Sequence, residues 1–260
     1  SDKAAEIVLK GLKKLEYRGY DSWGIAAKSA SGDIAIEKHV GKISEVISLN
    51  SEMMMPSHLA LGHSRWATHG EPNELNAHPQ VSYKGNFIVV HNGIIENYSR
   101  LKEHLESRGI IFSSQTDTEV LANLIEHLYL EGDLTAEQSI TMALNRVEGA
   151  YGLVIICTQE SDKLFAAKKG SPLVIGVGEG ENFIASDATP IVEYTQRVIY
   201  LKDDDLAIIR KDELILKTIR TEKFQPEVKE LDLKIGEIDK EGFAHFMLKE
   251  IFEQPRAIHD

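Results

Sequence analysis

A chain of 260 residues can bury a full core, as one large domain or two small ones. Its formal net charge of -12 argues against the basic face that a nucleic-acid partner needs, and hydrophobic and charged shares of 42% and 27% are ordinary for a soluble globular protein. Cys157 is the single cysteine, which excludes a disulfide framework and a thiolate metal cluster, and no apolar run approaches the ~20 residues of a membrane span. Ser1-Asp2-Lys3 leads directly into a helical pattern, so no signal peptide is expected and the cytoplasm is the expected location.

Ala4 to Arg18 places Ile7, Val8, Leu9, Leu12 and Leu15 on one stripe, which predicts a helix that Gly19 ends with a left-handed cap. Trp23 to Val40 reads as a hairpin turning at Ala30-Ser31-Gly32-Asp33, Gly41 to Leu49 as a short helix, and Leu59 to Gly62 as a buried strand. A polar stretch, His63 to Gly70, follows, and then a loop from Glu71 to Pro79 marked by prolines and asparagines. Asn86 to Val90 is a predicted strand that runs into His91-Asn92-Gly93, and Ile94 to Arg108 a helix stopped by Gly109. Thr116-x-x-Glu119 is a capping box that opens a helix over Val120 to Leu130, and Thr135-x-x-Gln138 opens another that ends near Gly149. Short strands follow at Tyr151–Cys157, Lys163–Ala167, Leu173–Val177, Phe183–Ala185, Val198–Leu201 and Leu206–Ile209. Gly242 to Asp260 reads as an amphipathic helix broken after Pro255, with more apolar surface than a tail needs. The expectation is an α+β fold of two packed sheets with helices outside.

The chemistry concentrates in His63-Ser64-Arg65-Trp66-Ala67-Thr68-His69-Gly70. Arg65, just past a strand end, offers a planar fork that matches a carboxylate, although a lone arginine also reads as a surface ion pair. Asp117 in the first turn of a helix suits the dipole there, so capping alone explains it. Together they suggest a pocket for a free amino acid, the α-carboxylate on Arg65 and the α-ammonium on Asp117. Asn92-Gly93 is a turn dipeptide, yet a helix is predicted after it, and the pair equally suits an oxyanion hole. His63, His69, His78 and His91 lack the i, i+4 spacing and acidic partner of a zinc helix, so no metal is expected. Trp66 fits a gate as well as a core position. Gly176-Val177-Gly178-Glu179-Gly180 opens no helix and reads as a turn rather than a phosphate loop. Cys157, inside an apolar run, reads as an inert core thiol. No nucleophile is in sight.

Leu15-Glu16-Tyr17-Arg18-Gly19-Tyr20-Asp21-Ser22, Ser64 to Gly70, Asn76-Ala77-His78-Pro79, His91-Asn92-Gly93 and Thr116-Asp117-Thr118-Glu119 together resemble the glutaminase domain of the glutamine–fructose-6-phosphate aminotransferase (isomerising), or glucosamine-6-phosphate synthase, family. Phe246 to Pro255 resembles that family's junction into its sugar-phosphate isomerase half. The resemblance implies a four-layer αββα sandwich of the N-terminal-nucleophile hydrolase type over residues 1–240, with 241–260 as the start of the isomerase half. It implies that Arg65 binds the glutamine α-carboxylate and Asp117 its α-ammonium, and that Thr68 and His69 line the pocket. Asn92 and Gly93 would form the oxyanion hole, Arg18 would lie beside the N-terminus, and Trp66 would gate an ammonia route.

The family's nucleophile is a cysteine at the mature N-terminus. Ser1 resembles a position roughly eight residues into the family, past a first strand of about five or six residues. The resemblance therefore places the nucleophile outside this chain and implies an inactive fragment. Glutamine or glutamate and the isomerase half are the implied partners, a homodimer is compatible with them, and no cofactor, metal, nucleic acid or membrane is implied. The phosphoribosyl-pyrophosphate amidotransferase branch is the near rival, disfavoured by the Tyr-Arg-Gly-Tyr-Asp segment and the C-terminal junction. A non-catalytic amino-acid-binding domain is the rival from another class.

Overall fold

The computed structural model describes residues 3–29, 31–68, 70–160, 162–219, 227–231 and 248. In chain order the elements are α1 (Ala4–Leu15), β1 (Ser22–Ser29), β2 (Ile34–Val40), β3 (Ser57–Arg65), β4 (Gln80–Val81), β5 (Phe87–Ile95), α2 (Tyr98–Ser107), α3 (Asp117–Glu131) and α4 (Ala136–Leu144). The remainder is strand: β6 (Gly149–Cys157), β7 (Leu164–Lys169), β8 (Val174–Val177), β9 (Asn182–Ala185), β10 (Arg197–Tyr200), β11 (Asp205–Ile209), β12 (Leu214–Thr218) and β13 (Lys229–Glu230). Three antiparallel sheets result, with strand orders β2-β1-β3, β13-β10-β8-β9 and β12-β11-β7-β6-β5-β4.

The period of two along each strand builds the layers. On β5 and β6, Phe87, Val89, Leu153, Ile155 and Cys157 pack against Leu121, Ile125 and Ile140 of α3 and α4, with Leu105 of α2 in the same core. Their alternates Ile88, Val90 and Ile156 meet Ala26, Leu59 and Leu61 of the three-stranded sheet. Farther along the long sheet, Ala166, Ala207 and Ile209 meet Leu173, Ile175 and Ile199 of the four-stranded sheet. The outer face of the three-stranded sheet, Trp23, Ile25 and Ala27, is covered by Ala5 and Leu12 of α1. The order is helix, sheet, sheet, helices, the expected αββα sandwich. Strands buried on both faces lose the polar alternation of a half-exposed sheet, which is why their sequences read as apolar runs.

Several local expectations need correction. Gly19 is extended (φ -170°), not a left-handed cap; a single turn of 3-10 helix, Glu16–Arg18, carries the chain out of α1. Gly19 is needed for proximity, because a Cβ there would stand 2.7 Å from the Ser64 carbonyl oxygen. The helix expected at Gly41–Leu49 is one 3-10 turn, Ile43–Glu45. The strand expected at Leu59–Gly62 runs on to Arg65, because Ser22 on β1 still pairs with it. Likewise β5 continues through His91, Asn92 and Gly93, paired residue by residue with β6, so α2 starts only at Tyr98. Thr116 caps α3 through the Glu119 N–H (3.2 Å), but the Glu119 carboxylate takes the N–H groups of Ser113 and Ser114, which makes half a capping box. Thr135 and Gln138 form the full box, and α4 ends at Leu144. Strands β4, β12 and β13 had no sequence expectation. The helix expected at Gly242–Asp260, and with it the junction at 241–260, lies outside the described residues except for Leu248.

Candidate functional site

The end of β3 is fixed by a segment distant in the chain, the Gly19-Tyr20-Asp21 corner. The Asp21 N–H donates to the Arg65 carbonyl (3.1 Å), and the Asp21 carboxylate accepts the Ala67 N–H (2.8 Å). The Tyr20 and Trp66 rings lie 5.4 Å apart at the surface, with Trp66 55% exposed. Arg65 is turned inward and buried; its guanidinium donates to the Gly70 carbonyl at 3.4 Å. Burial lowers the Arg65 pKa from its ordinary value, while Asp117 and Asp21 oppose that shift. A buried cation in the field of two carboxylates presents a planar fork that matches a ligand's carboxylate.

The second pole comes from the start of α3. Asp117 is buried, and its Oδ2 accepts the backbone N–H of Ile95 at 2.8 Å, which joins the helix to the end of β5. The Asn76 side chain ties the 70–76 loop to the same helix entry, accepting the Gln115 N–H at 2.9 Å. Arg65 and Asp117 are thereby brought to one side of the molecule. The His91-Asn92-Gly93 part of β5 adjoins Asp117, with His91 Nδ1 3.8 Å from its Oδ2. Gly93 has φ +144° and a Cβ there would stand 2.1 Å from the Ala150 oxygen, so only glycine fits. Asn92 is exposed on the strand.

Behind Arg65 sits a group of histidines that the sequence suggested only as metal ligands to be excluded. The His63 and His78 ring centroids lie 4.6 Å apart with the planes tilted by 43°, and the Nδ1 of each is out of solvent with no hydrogen-bond partner. Burial, then His91 and Arg65, drives the His63 pKa down to about 3; burial and the neighbouring positive groups take His78 well below its ordinary value. Burial also lowers the Lys38 amine to about 8, against the pull of Glu119 and Glu74. Among the described residues no three His, Cys, Asp or Glu side chains are arranged to hold a metal ion.

A trench of about 420 Å³ runs under α1 between β3 and β9, the facing edge strands of the three- and four-stranded sheets. Ile7, Val8 and Leu12 roof it, and Val90, Asn92 and Val154 of the long sheet line its floor. The Lys14–Glu193 pair (2.8 Å) fastens α1, and the Arg18–Asp187 pair (3.0 Å) the 3-10 turn after it, to the 187–193 turn on the far side. Of the sequence candidates, Arg18 and Asn92 line this trench; Arg65, Trp66, Thr68, Gly93 and Asp117 do not. His69 lies outside the described residues. Cys157 is fully buried among the helices, where burial raises its thiol pKa. Two participants were missed by sequence reasoning, Thr118 and the Ile95 N–H. A buried hydroxyl beside Asp117 in an apolar helix was the signal for the first; a backbone donor leaves none.

Residues 63–193 match the glutamine amidotransferase domain family. The chain is 47% identical over 260 residues to glutamine--fructose-6-phosphate aminotransferase [isomerizing] of Chlorobaculum tepidum and 48% over 259 residues to that of Bacteroides thetaiotaomicron, covering 99% of this chain. It spans 42% of the length of either relative. Among solved structures it is similar to the glutamine phosphoribosylpyrophosphate amidotransferase of B. subtilis in complex with ADP and GMP, with TM-score 0.71 and 28% identity over 84% of this chain and 47% of that one. An allosteric regulatory enzyme of purine biosynthesis gives TM-score 0.70 and 30% identity over the same shares. The αββα sandwich is thus of the N-terminal-nucleophile hydrolase type. By this likeness in sequence and fold, the chain belongs to the glutamine amidotransferase domain family.

Proposed function

We propose that this chain is the glutamine-hydrolysing part of a glutamine–fructose-6-phosphate aminotransferase. In this reading its ammonia goes to a sugar-phosphate isomerase half beyond residue 240, where fructose 6-phosphate becomes glucosamine 6-phosphate. Identity of 47–48% over nearly the whole chain supports this branch above the purine one, at 28–30%. The observation that carries the catalytic reading is the trench. Two edge strands, β3 and β9, face each other across it, a shape that suits one more strand; Lys3 already bridges the β3 edge at Ser57, and Asn92 stands on the floor.

The nucleophile in this reading is a cysteine heading a strand that precedes Ser1 and fills the trench. Its α-amino group takes the thiol proton, and the sulfur attacks the glutamine side-chain amide carbon. Arg65 holds the α-carboxylate, Asp117 the α-ammonium, and Thr68 and His69 flank them. The developing oxyanion is met by the Asn92 amide and the Gly93 N–H. Strand amides alternate between edges: the Glu96 N–H goes to Glu148 on the β6 side and the Ile95 N–H to Asp117, so Gly93, two residues before Ile95, shares the Asp117 edge. The proton passes to the leaving nitrogen, the C–N bond breaks and ammonia departs. Water then cleaves the thioester to glutamate and free thiol. Arg18 steadies the N-terminal strand, and the exposed Trp66, backed by Tyr20, faces the ammonia route.

The test is glutamate release from glutamine by the 260-residue chain and by the same chain preceded by a Cys-Gly-Ile-headed strand. The extended form should turn over, and the shorter one should fall on the order of a millionfold lower in kcat. Equal turnover by the two forms would sink the nucleophile assignment. Binding of glutamate with no turnover in either form would favour an amino-acid-binding domain instead.

A further inference from the structure

The His91 imidazole lies between α3 and β6, and its hydrogen bonds determine where its proton sits. Its Nε2 faces the Ala150 carbonyl oxygen at 3.4 Å, and a carbonyl can only accept. Nε2 therefore carries the proton and Nδ1 is left as an acceptor. The group facing Nδ1 is the Thr118 hydroxyl, at 3.1 Å, which must then be the donor. That hydroxyl has one proton. Its other acceptor, Asp117 Oδ1, is farther away at 3.5 Å. Meanwhile Asp117 Oδ2 is occupied by the Ile95 N–H and stands 3.8 Å from His91 Nδ1.

We propose that Thr118 and His91 are positioning residues that keep Oδ1 of Asp117 open for a ligand ammonium. Thr118 commits its proton to His91, so it does not cap Oδ1. By occupying Nδ1 it also holds His91 in the tautomer that presents no N–H to Asp117. Were Nδ1 to carry a proton, the imidazole would itself become a donor to the carboxylate and compete with the substrate's ammonium group. All three side chains are buried, Thr118 at 0%, His91 at 3% and Asp117 at 5% exposure, so water is poorly placed to substitute for any of them. The inference rests on the reading of Asp117 as the ammonium site.

Calorimetric titration with L-glutamate and with glutarate, which is glutamate without its α-amino group, separates the two. The wild-type chain should prefer glutamate. Thr118→Val should lose glutamate affinity about tenfold while its glutarate affinity stays put, and Thr118→Ser should restore the preference. Thr118→Ala gives the same reading should the valine variant not fold. Equal weakening of both ligands, or of neither, overturns the proposal. Asp117→Asn distinguishes the failures: if it narrows the glutamate–glutarate preference and Thr118→Val does not, only the positioning role falls. If wild type shows no preference, the Asp117 reading falls and takes this one with it.

Discussion

Gly93 on β5 and Ala150 on β6 leave no room between them: a Cβ at Gly93 would stand 2.1 Å from the Ala150 carbonyl oxygen. That same oxygen is the acceptor for His91 Nε2, so strand pairing, the histidine and the proposed oxyanion donor meet at one point. Gly93→Ala must either push β5 off β6 or abandon φ +144°. Each route strains the backbone by on the order of 1–3 kcal/mol or more. The expected result is a lowered thermal midpoint together with loss of glutaminase turnover in the strand-extended chain. Unchanged turnover would remove Gly93 from the oxyanion hole.

Arg65 should dominate ligand affinity. It is buried and its guanidinium reaches the Gly70 carbonyl, and a bound carboxylate would add charge-assisted hydrogen bonds to that planar fork. A charge-assisted bond contributes about 1.5–3 kcal/mol, so Arg65→Ala should weaken glutamate roughly 10- to 100-fold by calorimetry. An unchanged dissociation constant, with the fold intact by circular dichroism, would count against the assignment.

Legibility in the sequence followed how local each determinant was. The apolar runs of β5 and β6 and the Thr135–Gln138 box were readable because their causes lie within a few residues. Arg65 was expected past a strand end, and β3 includes it only because Ser22, far away in the chain, supplies the ladder. Asn92-Gly93 has a turn's composition, yet Gly152 and Tyr151 across the sheet keep it extended. β4 is two residues long and exists only against β5. In the candidate site, charged side chains with a chemical signature could be nominated from the sequence. The Ile95 N–H and the His63–His78 ring contact were not, since a backbone donor has no residue type and a ring contact across a fold has no spacing.

Cys157 should be silent. It packs with Phe87 and Ile155 against the helices, and burial raises its pKa, so the reactive thiolate is scarce. In the strand-extended chain Cys157→Ala should leave kcat unchanged. In the wild-type 260-residue chain a thiol reagent should label it only after denaturant is added. Rapid labelling of the native chain, or loss of turnover in the variant, would make it a candidate nucleophile.

The buried histidines set the response to acid. His78 is 5% exposed and its pKa lies well below 6.5, while that of His63 falls to about 3. In the unfolded chain both titrate near 6.5. Between that value and the folded pKa, the unfolded state binds protons that the folded state refuses, so stability must fall as pH drops through the window. Each histidine contributes at most about 1.4 kcal/mol per pH unit. His63 opens in part onto the trench, so its share should be the smaller. Urea midpoints should therefore decline from pH 7 to pH 5, above the range where ordinary carboxylates titrate. His78→Asn should flatten that decline whatever it does to absolute stability. A midpoint that is flat across this range in wild type, or an equal slope in the variant, would show that the imidazole takes up its proton without leaving the fold.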